Sequence, residues 1–168
     1  MSNRDAILDV VRKAFQIELD GYTFYSMTAE RAQKPAVQEL FEKLASDEVQ
    51  HQAFLKNVAT KYDKEGLAAF QKGKASDWSA IADKVFTGRF REQAGGAQFE
   101  LAVLSIGMTL EQNAISYFSG AAQNSTDREV KEFYKFLSDW EQTHYEALQN
   151  LYNSVRSDFW HEGDFSPF

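Results

Sequence analysis

A chain of 168 residues, 43% hydrophobic and 26% charged, is long enough to close one core without covalent staples, so a single soluble domain is the expectation. With 25 acidic against 18 basic residues, its net charge of −7 disfavours nucleic acid and anionic membrane surfaces as partners. Cysteine is absent, which excludes disulfides, thiolate ligands and cysteine nucleophiles. No secretory leader or run of about 18 apolar residues is read in the chain, so a cytoplasmic location and no membrane contact are expected.

Taken in chain order, helical periodicity predicts an all-α fold of four long helices. The first helix runs from about Asn3 to Ala32 and stops before the Lys34-Pro35 dipeptide, because the residue ahead of a proline is driven out of helical geometry. Pro35 then opens a second helix that reaches about Tyr62. Residues 63–96 break the pattern with glycines and turn residues and read as a long crossover, with a short helix expected around Asp77–Phe86 behind a Ser76 or Asp77 cap. The third helix spans about Ala97 to Gln123, and Asn124-Ser-Thr-Asp127 supplies a turn with capping residues. A fourth helix covers about Asp127 to Arg156, which makes residues 1–156 one four-helix bundle and leaves 157–168 as an irregular, aromatic-rich tail.

An internal repeat organises these helices. Leu8, Val11, Phe15, Glu18, Tyr22, Tyr25 and Ala29 form the central stripe of the first helix; adding 93 gives Leu101, Leu104, Met108, Glu111, Ile115, Phe118 and Ala122 in the third. The same shift carries Phe41, Leu44, Glu48, His51, Leu55, Val58 and Tyr62 onto Tyr134, Leu137, Glu141, His144, Leu148, Leu151 and Val155. Ten of 41 aligned positions are identical between residues 18–58 and 111–151. Steps of three and four mark the seam of a helix packed at a shallow angle, so four glutamates and two histidines are predicted to point into one shared core.

Four unpaired carboxylates in a core would each cost several kcal/mol and would repel one another. No lysine or arginine lies on the seams to compensate them. Metal ions remain: two divalent ions balance four glutamates, and two ferric ions with a bridging oxide balance them as well. Each Glu-x-x-His places both side chains on one helical face, where the pair can anchor one metal. The carboxylate and imidazole donors suit iron or manganese, whereas structural zinc favours a closed four-coordinate site. The metal-ligand set is therefore Glu18, Glu48, His51, Glu111, Glu141 and His144, with two iron ions expected and manganese or zinc as alternatives.

Glu18-x-x-Gly-Tyr-x-Phe-Tyr, Asp47-Glu48-Val-Gln-His51, Glu111 and Glu141-Gln-Thr-His144 resemble the ferritin-like superfamily, and most of all its rubrerythrin branch. The resemblance covers about 150 residues and implies a ferritin-like four-helix bundle, with a long crossover between helices two and three. It also implies a non-haem di-iron oxidoreductase that reduces hydrogen peroxide or dioxygen. In that reading the lone-helix carboxylates are Glu18 and Glu111, at least one of them bridging, and Gly21 and Ala114 leave room for a small oxidant. Rubrerythrins carry a further glutamate where Ala114 stands, and usually a cysteine-rich rubredoxin module that this chain lacks, so the electron donor must be separate. Iron oxidation for storage in a ferritin-like cage and a metal-stabilised scaffold without turnover are the alternative readings.

Among the neighbouring residues, Asp47 and Asp139 are placed either behind the histidines or on a solvated face. Tyr22, Tyr25, Tyr117 and Trp140 are read first as core packing, and His161 as lying outside the site. A second apolar line, Val10, Ile17 and Phe24 with Val103, Leu110 and Tyr117, is expected either to meet the crossover segment or to form a homodimer interface, the dimer being the favoured reading.

Overall fold

The computed structural model describes residues 3–66 and 98–162, which form four α-helices and no strand: α1 (Asn3–Arg31), α2 (Pro35–Glu65), α3 (Gln98–Asn124) and α4 (Arg128–Glu162). Of the expected crossover, residues 63–65 belong to α2, and the rest from residue 67, with its short helix, falls outside the described residues. Lys34 adopts extended geometry with φ −103° and ψ 124°, so the chain turns there and Pro35 begins α2 at a position that needs no N–H. Gly66 closes α2 with φ 65°, a conformation that side-chain-bearing residues rarely adopt, and its N–H donates to Tyr62 O at 2.9 Å. At the start of α4 the Asp127 carboxylate accepts from the Val130 N–H at 3.0 Å, satisfying one of the unpaired amides of the first turn.

The fourth helix continues to Glu162, six residues beyond the expected end at Arg156. No proline or glycine intervenes before Gly163, and the apolar step from Val155 is met again at Phe159. The first part of the expected irregular tail is therefore helical.

Two apolar clusters fix the helix directions. One joins Tyr25 and Ala29 of late α1 to Leu40, Phe41 and Leu44 of early α2, Val103 and Leu104 of early α3, and Leu148 and Leu151 of late α4. The other joins Ile7 and Ala14 of early α1 to Leu55 and Val58 of late α2, Phe118 of late α3, and Phe133 and Leu137 of early α4. Hence α1 is antiparallel to α2, α3 to α4, and α1 to α3, while α2 and α3 run parallel. The end of α2 and the start of α3 lie at opposite ends of the bundle, the geometry that a long crossover serves. Each large side chain buried in these clusters contributes about 1.5–3 kcal/mol.

The expected stripes of α2 and α4 are buried almost throughout. On α1 and α3 the buried line is turned by about one residue: Ile7, Ala14 and Thr28 are buried, while Leu8 and Phe15 are partly exposed and Tyr22 is 39% exposed. Tyr22 thus leaves the core. The second apolar line divides, with Val10 and Val103 in the core, Phe24 packed against it, and Ile17, Leu110 and Tyr117 lining a cavity.

Candidate metal centre

The layer between the two apolar clusters holds Glu18, Glu48, His51, Glu111, Glu141 and His144, and every one is at most 6% exposed. They fall into two groups whose donor atoms lie within 4.8 Å of one another: Glu18, Glu48 and His51 in one, and Glu48, Glu111, Glu141 and His144 in the other. Glu48 is the carboxylate common to both groups, and Glu18 and Glu111, the lone-helix carboxylates, fall one in each. Glu48 faces a histidine of each half, with Oε1 3.4 Å from His144 Nδ1 of α4 and Oε2 3.5 Å from His51 Nδ1, which lies one turn on in α2 itself.

Both histidines turn Nδ1 toward the carboxylates. His51 Nδ1 lies 2.9 Å from Glu18 Oε2, and His144 Nδ1 lies 3.5 Å from Glu111 Oε1. The opposite edge of His144 faces Asp47, with Nε2 3.8 Å from Oδ2. Asp47 is fully buried and accepts from Lys43 Nζ at 2.6 Å, whereas Asp139 is exposed, so only the first of the two aspartates stands behind a histidine. His51 instead stacks on Trp140 with ring centres 4.1 Å apart, and the two imidazoles lie 5.2 Å apart. Tyr25 is buried and its hydroxyl donates to Glu111 Oε1.

Burial and the neighbouring Glu48 raise the Glu18 carboxyl to about 8. Burial, together with Glu18, Glu111 and Glu48, drives Glu141 well above the ordinary value. Burial acts the same way on Glu111, yet its hydrogen bond and attraction to His144 prevail and hold it below the usual range. For His144 burial acts to lower the value, but Asp47, Glu111 and Glu48 together raise it well above 6.5. The metal-free layer thus limits its net charge by holding protons.

Among the described residues, Glu18 Oε1, Glu48 Oε2 and Glu141 Oε1 are buried without a hydrogen-bond partner. Buried oxygens of this kind are costly unless something positive meets them, and the convergence of carboxylate and imidazole donors fits a hard or borderline cation. A cavity of about 290 Å³ opens between α1 and α3 and reaches Glu48, Glu111 and Glu141 past Gly21 and Ala114, the two small residues expected to leave space there.

The sequence profile of the rubrerythrin family matches residues 9–152. The chain belongs to the rubrerythrin family. Nothing among curated proteins or solved structures matches it significantly. As a rubrerythrin-family protein it carries all six expected residues, together with Asp47, Tyr25 and Trp140, inside the matched segment. Three of its features escape a reading of the seams alone: the Tyr25 hydroxyl on Glu111, the Trp140 stack, and a buried Glu100 paired with Lys34 at 3.0 Å. Each falls where the 93-residue repeat changes chemistry, at Tyr25/Phe118, Asp47/Trp140 and Ile7/Glu100, and those mismatches are the signal that marks them.

Proposed function

We propose that this rubrerythrin-family protein is a non-haem di-iron oxidoreductase that reduces hydrogen peroxide or dioxygen. The observation that carries the reading is the sharing of Glu48 between two donor groups, since one carboxylate common to both is what two adjacent cations need. Glu18, Glu48 and His51 would hold one ion and Glu48, Glu111, Glu141 and His144 the other. Iron bound there supplies reversible one-electron chemistry at each ion. Four glutamates balance two divalent charges, so loading the site leaves no net buried charge.

The protein groups contribute position and proton control. Glu48 fixes the separation of the two sites, and Tyr25 holds Glu111 in orientation through its hydroxyl. Gly21 leaves Glu48 its place, because an added Cβ would stand 3.1 Å from Glu48 Oε1. The apolar clusters above and below close the layer toward both ends of the bundle, leaving the cavity between α1 and α3 as its opening. These residues include no cysteine for a thiolate-bound redox centre, and in this reading a separate donor supplies the electrons.

Protein purified without added metal should contain two iron ions per chain, and the ferrous form mixed with peroxide or dioxygen in stopped flow should gain ferric near-ultraviolet absorption as the oxidant is consumed. Zinc in place of iron, or no reaction with either oxidant, would remove the proposal. Light scattering that reports a shell-sized particle would move it to iron storage.

A further inference from the structure

The cavity beside the carboxylates is far larger than an oxidant requires. Peroxide or dioxygen needs little more than the space of one or two waters, each about 30 Å³ of liquid, whereas an apolar cavity of about 150 Å³ already holds a benzene ring. Here about 290 Å³ is open. Its walls are mainly apolar, formed by Ile17, Leu110, Ala114 and Tyr117. At its mouth stand the exposed Asp20 and Asn113, and at its floor are glutamate carboxylates. The mouth offers a carboxylate and an amide, the walls are apolar apart from the Tyr117 hydroxyl, and the floor is carboxylate. The Asp20 carboxylate at the mouth repels anions, and the apolar walls disfavour a permanently charged molecule. The molecule that fits is neutral, has one ring, and carries a hydroxyl donor at each end.

We propose that this cavity binds a hydroquinone-type phenol, which serves as the separate electron donor; this deepens the di-iron reading and rests on it. In the reaction the two O–H bonds of the hydroquinone break and two C=O bonds form, releasing two electrons and two protons. The O–O bond of hydrogen peroxide breaks and takes up both, giving one quinone and two waters. The cavity also favours turnover in one direction. A quinone has no hydroxyl donors, so it loses the hydrogen bonds to the Asp20 and floor carboxylates, keeps only what the Asn113 amide can donate, and binds more weakly.

Binding is tested apart from redox chemistry by titrating 1,4-dihydroxybenzene into zinc-loaded protein, followed by ligand-observed NMR. One saturable site per chain is expected, with 1,4-benzoquinone at least about tenfold weaker, a ratio that one or two lost hydrogen bonds produce. Ala114→Leu, which fills the cavity, and Asn113→Trp, which covers its mouth from an exposed position, should each abolish saturation. Should Ala114→Leu fail to fold, Asn113→Trp decides alone. Absence of saturable binding to the wild type, or binding unchanged in Asn113→Trp, overturns the proposal. In iron-loaded protein, one quinone should form per peroxide consumed, and binding without quinone formation overturns the donor role. A chain that takes up no metal would defeat the di-iron reading instead, and the same titration on metal-free protein would still decide whether the cavity is a site.

Discussion

Position 47 and its repeat partner 140 show how one duplicated design yields two different supports. Asp47 of α2 stands behind His144 of α4, and Trp140 of α4 lies flat on His51 of α2, so each half braces the histidine of the other. A carboxylate behind an imidazole fixes its orientation and raises its basicity, while an indole fixes orientation alone. The two groups should therefore differ in affinity, the His144 side being the tighter. Asp47→Asn keeps the shape and removes the charge, and it should weaken metal binding on the His144 side by about 10–100-fold. Competition against a chelator of known affinity would show this as convergence of two unequal sites. Unchanged affinity would reduce Asp47 to a partner of Lys43.

At the scale of the helix, two glycines on equivalent scaffolds have opposite consequences. Gly120 lies inside α3 with no atom within 4 Å of where a Cβ would stand, so Gly120→Ala should stabilise the protein by about 0.5–1 kcal/mol through helix propensity, read as a raised denaturation midpoint. Gly21→Ala makes the same helix gain but drives a methyl against Glu48 Oε1 at 3.1 Å, so it should disturb metal uptake even where the fold survives. Metal content set beside thermal stability separates the two effects. Helices of this kind were legible in sequence because Glu18, Glu48, Glu111 and Glu141 sit on apolar stripes that repeat at 93 residues, and periodicity states which face is inward. Periodicity resolves a face only to about one residue of rotation, which is why Ile7 and Ala14 are buried where Leu8 and Phe15 were expected. It also cannot state which carboxylate stands between two others, because that depends on how the helix pairs approach. The hidden place of Glu48, the Tyr25 hydroxyl and the Trp140 stack are all consequences of that approach.

At the scale of the molecule, the described residues form two apolar clusters separated by an ionisable layer, and that layer makes stability depend on protons and metal in opposite senses. In the metal-free fold Glu18 titrates near 8 instead of 4.5, and Glu141 lies well above the ordinary value. A carboxyl raised by folding binds its proton more tightly in the native state, so its contribution is complete below the unfolded value and is lost as pH climbs through the folded one. His144, also raised, acts in the same direction. Glu111 is lowered and has the opposite sign, but its loss lies at acid pH, below the ordinary carboxylate value. Between 4.5 and about 8 the metal-free protein should therefore become steadily less stable. Metal ions compete with those protons, so their binding should strengthen across the same window, and free metal at 100 times Kd would add about 2.7 kcal/mol. Calorimetric scans of chelated and metal-loaded protein between pH 5 and 8 should diverge as pH rises. Parallel curves would mean that Glu18 and Glu141 hold no protons for the metal to displace.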